Sequence, residues 1–162
     1  MSNYWIFKVK ADRNSKYSLT GREIYNHRMT QDCFWGLKEF TEEGRKAQNV
    51  AYLRAGDFVL YYLVGEHCFL GDCILSSGFR SLTPDESKKV THPEFLDWNQ
   101  GVFLNKESIN VRAKALPMES LVGKVHFAPV DKNFGSYIQG SITRIKHKQD
   151  FETVVSEHEL VR

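Results

Sequence analysis

Residues 58–75, FVLYYLVGEHCFLGDCIL, contain two strongly apolar segments separated by the short polar stretch at 65–67. Apolar runs of this length, rich in aromatic and β-branched residues and bounded by turn residues, are typical of buried strands. A short turn that contains glycine joins such strands as a hairpin. The sequence therefore predicts an antiparallel hairpin with strands at 58–64 and 68–75, and the other elements are expected to pack around it.

Further strands are predicted on both sides of the hairpin. Residues 4–9 (YWIFKV) and 33–37 (CFWGL) precede it, and residues 102–104 and 108–115 follow it. In the last of these, polar residues at 110, 112 and 114 alternate with apolar ones, which is the period of a strand with one buried face. Residues 138–145 fit either a strand or a helix. The sequence thus predicts about six strands.

Short helices are predicted between and after these strands. One covers 22–31 and begins near Thr20 or Gly21, a second covers 41–53 with Thr41 as its N-cap, and a third covers 151–160 with Asp150 as its N-cap. Residues 76–97 are polar and predict a long loop with one helical turn. The 162 residues fit a single domain spanning 1–162, of α+β class, in which a mostly antiparallel β-barrel carries short helices around it.

The composition is that of a globular protein and argues against a membrane or disulfide-rich protein. The net charge is +2, and 41% of the residues are hydrophobic and 26% charged, as in ordinary globular proteins. No apolar run approaches the roughly 20 residues of a membrane span, and the N-terminal residues resemble a strand rather than a signal peptide. The three cysteines show no CxxC spacing. We therefore expect a cytoplasmic protein with no membrane partner and no disulfide framework.

Motifs of common enzymes and cofactor sites are missing from the sequence. It contains no Walker loop, GxGxxG, HExxH or paired CxxC, and its six histidines are scattered. No nucleophile is followed by a base in a recognisable arrangement. We expect a binding domain without catalytic residues, metal or cofactor, while a small enzyme or metabolite-binding domain stays open as an alternative.

Two tryptophans differ from the other aromatic residues, most of which lie inside apolar strands. Trp35 ends a short apolar run beside Gly36, and Trp98 lies between polar residues at the end of the long loop. A tryptophan in such a position either fixes a loop onto the core or offers a flat π face to a ligand. Periodicity alone does not distinguish the two roles.

Several motifs, taken in order, resemble the EVE domain family. They are YWIF at 4–7, FWGL at 34–37 and LRAGDFVLY at 53–61, with later agreement at 133–135 and 144–145. EVE domains belong to the PUA-like superfamily and are similar to YTH domains, and residues 95–117 resemble the YTH pattern. The resemblance implies a PUA-like barrel that holds a modified base, such as N6-methyladenine or a modified cytosine, between aromatic rings.

The resemblance also implies roles for individual residues. Trp35 matches the first tryptophan of the aromatic cage and Trp98 a second position, with Phe95 as a third candidate. Asn26 and Tyr25 are the nearest candidates for hydrogen bonding to the edge of the base. Stacking contributes about 1–3 kcal/mol per base, and a buried methyl group adds about 0.8 kcal/mol.

A flipped or unpaired base requires phosphate contacts elsewhere on the protein. Basic residues near the two tryptophans and in a late basic run are candidates for them: Arg22, Arg28, Lys38, Lys88, Lys89, Arg144 and Lys146. The resemblance favours DNA over RNA and a modification-dependent restriction system of the McrBC type, with the chain as part of a larger protein that has a motor or nuclease partner. An RNA-binding PUA-like module that recognises modified RNA is the alternative.

Overall fold

A computed structural model describes residues 1–11, 19–40, 44–47, 49–89, 99–130 and 141–161. Within these residues the chain forms eight strands and three α-helices. The strands are β1 (Tyr4–Val9), β2 (Phe34–Gly36), β3 (Phe58–Leu63), β4 (Cys68–Ile74), β5 (Arg80–Ser81), β6 (Gln100–Phe103), β7 (Asn110–Pro117) and β8 (Ile142–Ile145). The helices are α1 (Gly21–His27), α2 (Pro84–Ser87) and α3 (Lys148–Leu160).

The predicted hairpin lies at the centre of a five-stranded sheet with the order β7-β4-β3-β1-β8. β3 pairs with β4 in the antiparallel sense, and its other edge pairs with β1 in parallel. β4 carries a bulge where its register against β7 shifts between Phe69 and Gly71. The hairpin prediction and the strand predicted at 4–9 are therefore confirmed.

A second, three-stranded sheet has the order β2-β6-β5 and is antiparallel throughout. A bridge between Leu75 and Leu104 connects it to the end of β4. The predicted strands at 33–37 and 102–104 belong to this sheet. The α+β class and the mostly antiparallel pairing are confirmed, with eight strands in the described residues in place of about six.

The large sheet separates two apolar cores, because successive side chains of a strand point to opposite faces. In β1, Trp5 and Phe7 face the small sheet and α1, while Ile6 faces α3. In β3, Tyr61 faces the small sheet and Leu60 faces α3. The first core thus lies between the two sheets, and any ligand pocket built around Trp35 has to form at its edge.

The RAGD sequence at 54–57 forms the turn that leads into β3. Gly56 has φ +90°, a conformation that glycine adopts without strain. The buried carboxylate of Asp57 accepts hydrogen bonds from the backbone N–H of Asn3 and Arg54, both at 3.0 Å, and from Trp5 Nε1 at 2.9 Å. These bonds tie the turn to the start of β1 and set the parallel register of β1 and β3.

The helix predicted at 22–31 is confirmed. Thr20 is its N-cap, and its side chain accepts a hydrogen bond from the Glu23 N–H. After His27 the chain continues for five residues as a π-helical turn, Arg28–Asp32, and Cys33 then adopts a left-handed conformation with φ 49°. This ending redirects the chain into β2.

The helix predicted at 41–53 is wrong where that segment is described. Phe40 and Lys46 form an antiparallel bridge, and Asn49 is left-handed, with φ 68°. Only Val50–Tyr52 is helical, as a 3-10 turn. Left-handed residues interrupt a right-handed helix. The N-cap predicted at 41 was also not followed by the apolar stripe that a helix packed on a core requires.

Two finer predictions about the C-terminal half are also wrong. In β7, Val111 is exposed whereas Arg112 is half-buried, because Arg112 donates a hydrogen bond to Asp72 of β4 at 3.0 Å. Asp150 is not the N-cap of α3, which begins two residues earlier. Its buried carboxylate instead accepts hydrogen bonds from the backbone N–H of His126 and contacts His126 Nδ1 at 2.9 Å.

Candidate nucleic-acid interface

Trp35 lies in β2, on the face of the small sheet that covers the first core. Its ring is 7% exposed and meets the ring of Tyr61 at 4.8 Å between centroids, with the planes 62° apart. Tyr61 in turn contacts Phe7 edge-on at 5.8 Å. Edge-to-face contacts of this kind fix ring orientation. The position of Trp35 is thus set by packing against the five-stranded sheet.

The pairing of β2 with β6 requires a glycine beside Trp35. Gly101 lies opposite Gly36, and a Cβ atom on Gly101 would collide with the Trp35 carbonyl oxygen and come within 2.8 Å of the Phe34 ring. Only a residue without a side chain lets the two strands approach this closely. The backbone of Trp35 is therefore held from the β6 side.

Tyr25 is the second residue of the predicted site that reaches this cluster. It lies on α1, is 2% exposed, and its ring is 5.2 Å from that of Tyr61. Its hydroxyl is buried without a hydrogen-bond partner and lies against Gly71, where β4 bulges. We call Tyr25, Trp35, Tyr61 and Phe7 the interior aromatic cluster.

The hydroxyl of Tyr25 stands out in energetic terms. An unpaired buried hydroxyl costs about 1–3 kcal/mol, and native structures contain few of them. Burial raises the pKa of Tyr25 well above its ordinary value, and the nearby Cys73 and Asp72 raise it further. The group is therefore a neutral O–H at physiological pH, able to donate or accept a hydrogen bond inside the cluster.

Asn26, the other candidate for the base edge, is exposed on α1 and points away from the buried side of the helix. Successive residues of a helix point about 100° apart, so only one of the two can face the cluster. The structure brings Tyr25 together with Trp35 and leaves Asn26 outside. Trp98 and Phe95 lie outside the described residues.

Most of the basic residues predicted to contact phosphates are on the surface. Arg22 forms an ion pair with Glu66 at 3.0 Å, and Arg144 donates a hydrogen bond to Asn3 Oδ1. The remaining candidates are also exposed: Lys38, Lys88, Lys89 and Lys146.

Arg28 is placed differently from the other basic candidates. It is 2% exposed, its Nη1 donates to Asp32 Oδ2 at 3.1 Å, and its guanidinium lies 5.3 Å from the centre of the Phe34 ring. Burial lowers the pKa of Arg28 to about 10, with Asp32 opposing the shift. A phosphate role does not fit this placement, because the charge is already paired inside the protein.

Tyr61 was missed as a site residue because the hairpin sequence explains it fully as core. Its only sequence signal is the two-residue period of a strand, which places it on the same face as Val59 and Leu63, toward the small sheet.

Among the described residues, no group of three or more histidine, cysteine or acidic side chains is arranged to hold a metal ion. No helix in the described ranges has the length and apolar character required to cross a membrane.

No model of a protein family matches the chain, and no curated protein shows significant similarity in sequence. Solved structures do match. The YTH domain of Zygosaccharomyces rouxii MRB1, solved with N6-methyladenosine RNA, is similar at a TM-score of 0.58 and 12% identity, over 99% of this chain and 89% of that chain. Human THYN1, solved with DNA that contains 5-methylcytosine, is similar at a TM-score of 0.59 and 15% identity, over 99% of this chain and 100% of that chain.

The N-terminal domain of Staphylothermus marinus McrB is similar at a TM-score of 0.52 and 10% identity, over 96% of this chain and 94% of that chain. All three matches cover nearly the entire chain, so they concern the fold as a unit. They confirm the expected resemblance in fold: the chain has the α+β fold of a YTH domain, of THYN1 and of the N-terminal domain of McrB.

Proposed function

We propose that this chain is a reader of modified bases that holds a flipped or unpaired base, such as N6-methyladenine or a modified cytosine, against Trp35. The observation that carries the proposal is the interior aromatic cluster, in which Trp35 and Tyr25 both pack against Tyr61 and the buried hydroxyl of Tyr25 has no partner. Two proteins of the same fold were solved with methylated RNA or methylated DNA, which supports this choice of ligand.

The chemistry of the cluster suits such a base. A tryptophan face supplies stacking of about 1–3 kcal/mol, and closure around a methyl group adds about 0.8 kcal/mol. The Tyr25 hydroxyl gives the base edge one neutral hydrogen-bonding partner. In this proposal Trp35 opens from its contact with Tyr61 far enough to admit the base, and Trp98 and Phe95 complete the aromatic cage.

Extraction of a base from a duplex costs a few kcal/mol, which contacts to the backbone have to offset. The exposed lysines at 38, 88, 89 and 146 supply positive charge at the surface. Arg22 and Arg144 are exposed as well, and a phosphate would compete with their present partners Glu66 and Asn3. We assign these six residues to the phosphate contacts and leave Arg28 out.

We place the protein on DNA, in a restriction or defence context, as the base-recognition part of a larger assembly with a motor or nuclease. The similarity to an McrB N-terminal domain favours this setting. RNA is the second candidate substrate, favoured by the similarity to a YTH domain that was solved with RNA.

Binding rather than catalysis is the proposed activity of the cluster. The thiol nearest to it belongs to Cys73, whose Sγ donates to the Tyr61 hydroxyl at 3.7 Å. Burial raises the pKa of Cys73 to about 12. A thiol in this state is protonated at neutral pH and is a poor nucleophile, because the thiolate is the reactive form.

The test is a titration of matched oligonucleotides with N6-methyladenine, adenine, 5-methylcytosine or cytosine at one position, as DNA and as RNA. We expect about fourfold tighter binding of one methylated form, since burial of the methyl group contributes about 0.8 kcal/mol beyond the stacking that both forms share. Equal affinity for all eight oligonucleotides would overturn the proposal.

Substitution of Trp35 locates the binding site. Trp35→Phe keeps an aromatic side chain in the core but reduces the stacking surface, and we expect it to abolish most of the discrimination between methylated and unmethylated base. Tyr52→Phe is a matched control, because Tyr52 is 66% exposed on a 3-10 turn away from the cluster. Discrimination that survives in a folded Trp35→Phe protein refutes the assignment to this cluster.

A further inference from the structure

A pocket lies on the opposite face of the small sheet from Trp35. Its volume is about 210 Å³, and its walls include Phe34 of β2 and Phe103 of β6. These two residues are paired across the strands, with their ring centres 5.1 Å apart. Since successive residues of a strand face opposite sides, Phe34 lines this pocket while its neighbour Trp35 faces the first core. We call this one the outer pocket.

The outer pocket contains a buried carboxylate that is only partly satisfied. The side chain of Asp32 is 2% exposed and lines the pocket. Its Oδ2 accepts from Arg28, but its Oδ1 accepts no hydrogen bond and has His27 Nε2 at 3.6 Å. A buried oxygen of this kind favours a ligand that brings an N–H donor, because an unmet acceptor is costly.

The rest of the pocket favours a flat ligand. The guanidinium of Arg80 lies 4.2 Å from the centre of the Phe103 ring and forms a two-bond ion pair with Glu86, at 2.8 and 2.7 Å. This pair fixes one wall, and Lys89 adds positive charge to the lining. Aromatic walls, a carboxylate acceptor and a nearby cation together match a nucleobase, whose π face stacks and whose amino group donates.

We propose that the outer pocket binds a second, unpaired nucleobase that carries an exocyclic amino group: guanine, adenine or cytosine. Asp32 Oδ1 accepts the hydrogen bond from that amino group, and the ring stacks against Phe103. Thymine and uracil lack an exocyclic amino group, and their N3–H lies between two carbonyl oxygens that repel the carboxylate. The inference rests on the proposed function only in supposing that the protein meets nucleic acid, since Trp35 and the outer pocket lie on opposite faces of one sheet.

The experiment uses the mononucleotides GMP, AMP, CMP and UMP as probes with the full chain. Binding is followed by the amide NMR signals of residues 31, 34, 82 and 103. We expect the three amino-bearing nucleotides to bind at least roughly tenfold tighter than UMP, the effect of one hydrogen bond to a charged group. Equal affinity for UMP overturns the proposal, as does tighter binding of N-acetylarginine amide than of any nucleotide.

Two variants separate the contributions. Asp32→Asn should remove the preference over UMP, with the exposed Asp85→Asn as control. Because Asp32→Asn also weakens the pair with Arg28 and can impair folding, Phe103→Leu is the second variant. This variant should bind all three amino-bearing nucleotides more weakly but should still prefer them to UMP. Unchanged binding in a folded Phe103→Leu protein overturns the proposal.

The two proposed sites can fail independently. Trp35→Phe should keep the mononucleotide preference, and Phe103→Leu should keep the discrimination of methylated bases. If the unmodified chain shows no methyl discrimination but does show the nucleotide preference, the proposed function alone is contradicted. The reverse result contradicts the outer pocket alone.

Discussion

Removal of a single oxygen atom, in Tyr25→Phe, is expected to change stability and binding in opposite directions. The Tyr25 hydroxyl is buried with no hydrogen-bond partner, and an unpaired buried hydroxyl costs about 1–3 kcal/mol. The ring itself keeps its packing against Tyr61 in the variant. We expect the free energy of unfolding to rise by about 1 kcal/mol, which is roughly 2–4 °C in Tm for a protein of this size.

Binding should respond the other way. If the hydroxyl forms a hydrogen bond to the edge of the modified base, its loss weakens binding of the methylated oligonucleotide by about tenfold. Urea unfolding measures the first quantity, and titration of the tightest oligonucleotide measures the second. A hydroxyl kept for ligand recognition is expected to show this combination, in which function is retained at the expense of stability.

Tyr62→Phe is the matched control. Tyr62 is equally buried but lies on the other face of β3, and its hydroxyl contacts His67 Nδ1 at 2.8 Å. Because that hydroxyl is satisfied, its removal should destabilise the protein by about 0.5–1.5 kcal/mol and leave binding unchanged. The reasoning is refuted if Tyr25→Phe destabilises the protein as Tyr62→Phe does, or if it binds the oligonucleotide as tightly as the unmodified chain.

Three further substitutions test the frame around the site. Asp57→Asn places an amino group among N–H donors, including Trp5 Nε1, and should cost about 2 kcal/mol or more in urea unfolding; a loss below about 0.5 kcal/mol would contradict the hydrogen-bond network. Gly71→Ala puts a Cβ against the Tyr25 hydroxyl and should lower stability by about 1–3 kcal/mol and weaken oligonucleotide binding with it; an unchanged Tm would show that the bulge has room. Burial lowers the pKa of His158 below its usual 6.5, so the unfolded chain takes up the proton first and stability falls as pH drops below about 6.5. His158→Gln should reduce this fall between pH 7 and 5.5, and an identical pH profile would exclude His158 as its source.

The sequence predicted the parts of the fold where several physical signals agree. The hairpin combines two apolar runs with a glycine turn, and the start of α1 was expected near Thr20, which is its N-cap. The segment at 41–53 offered only a cap and acidic residues, which are weak signals without an apolar stripe. The predicted alternation of buried and exposed residues in β7 was wrong because the half-buried position of Arg112 depends on Asp72, a partner distant in sequence.

The candidate site was predictable in the same uneven way. Trp35 was found from its flanking residues and from the family resemblance, and Tyr25 from its distance to Trp35. Tyr61 and the Phe34–Phe103 pair depend on which strands become neighbours, and a single sequence does not encode that directly. The unpaired oxygens of Tyr25 and Asp32 are three-dimensional features with no sequence signal.

The position of β1 affects how the chain can fold during synthesis. β1 leaves the ribosome before both of its neighbours in the sheet, β3 and β8, and β8 is formed by residues 142–145. Until those residues emerge, one edge of β1 presents unpaired backbone groups, and such edges attract other nascent chains. Lys8, whose charge lies within β1, opposes that association. Fragments that stop before residue 142 should therefore aggregate even though they retain Trp35, Tyr25 and the entire hairpin.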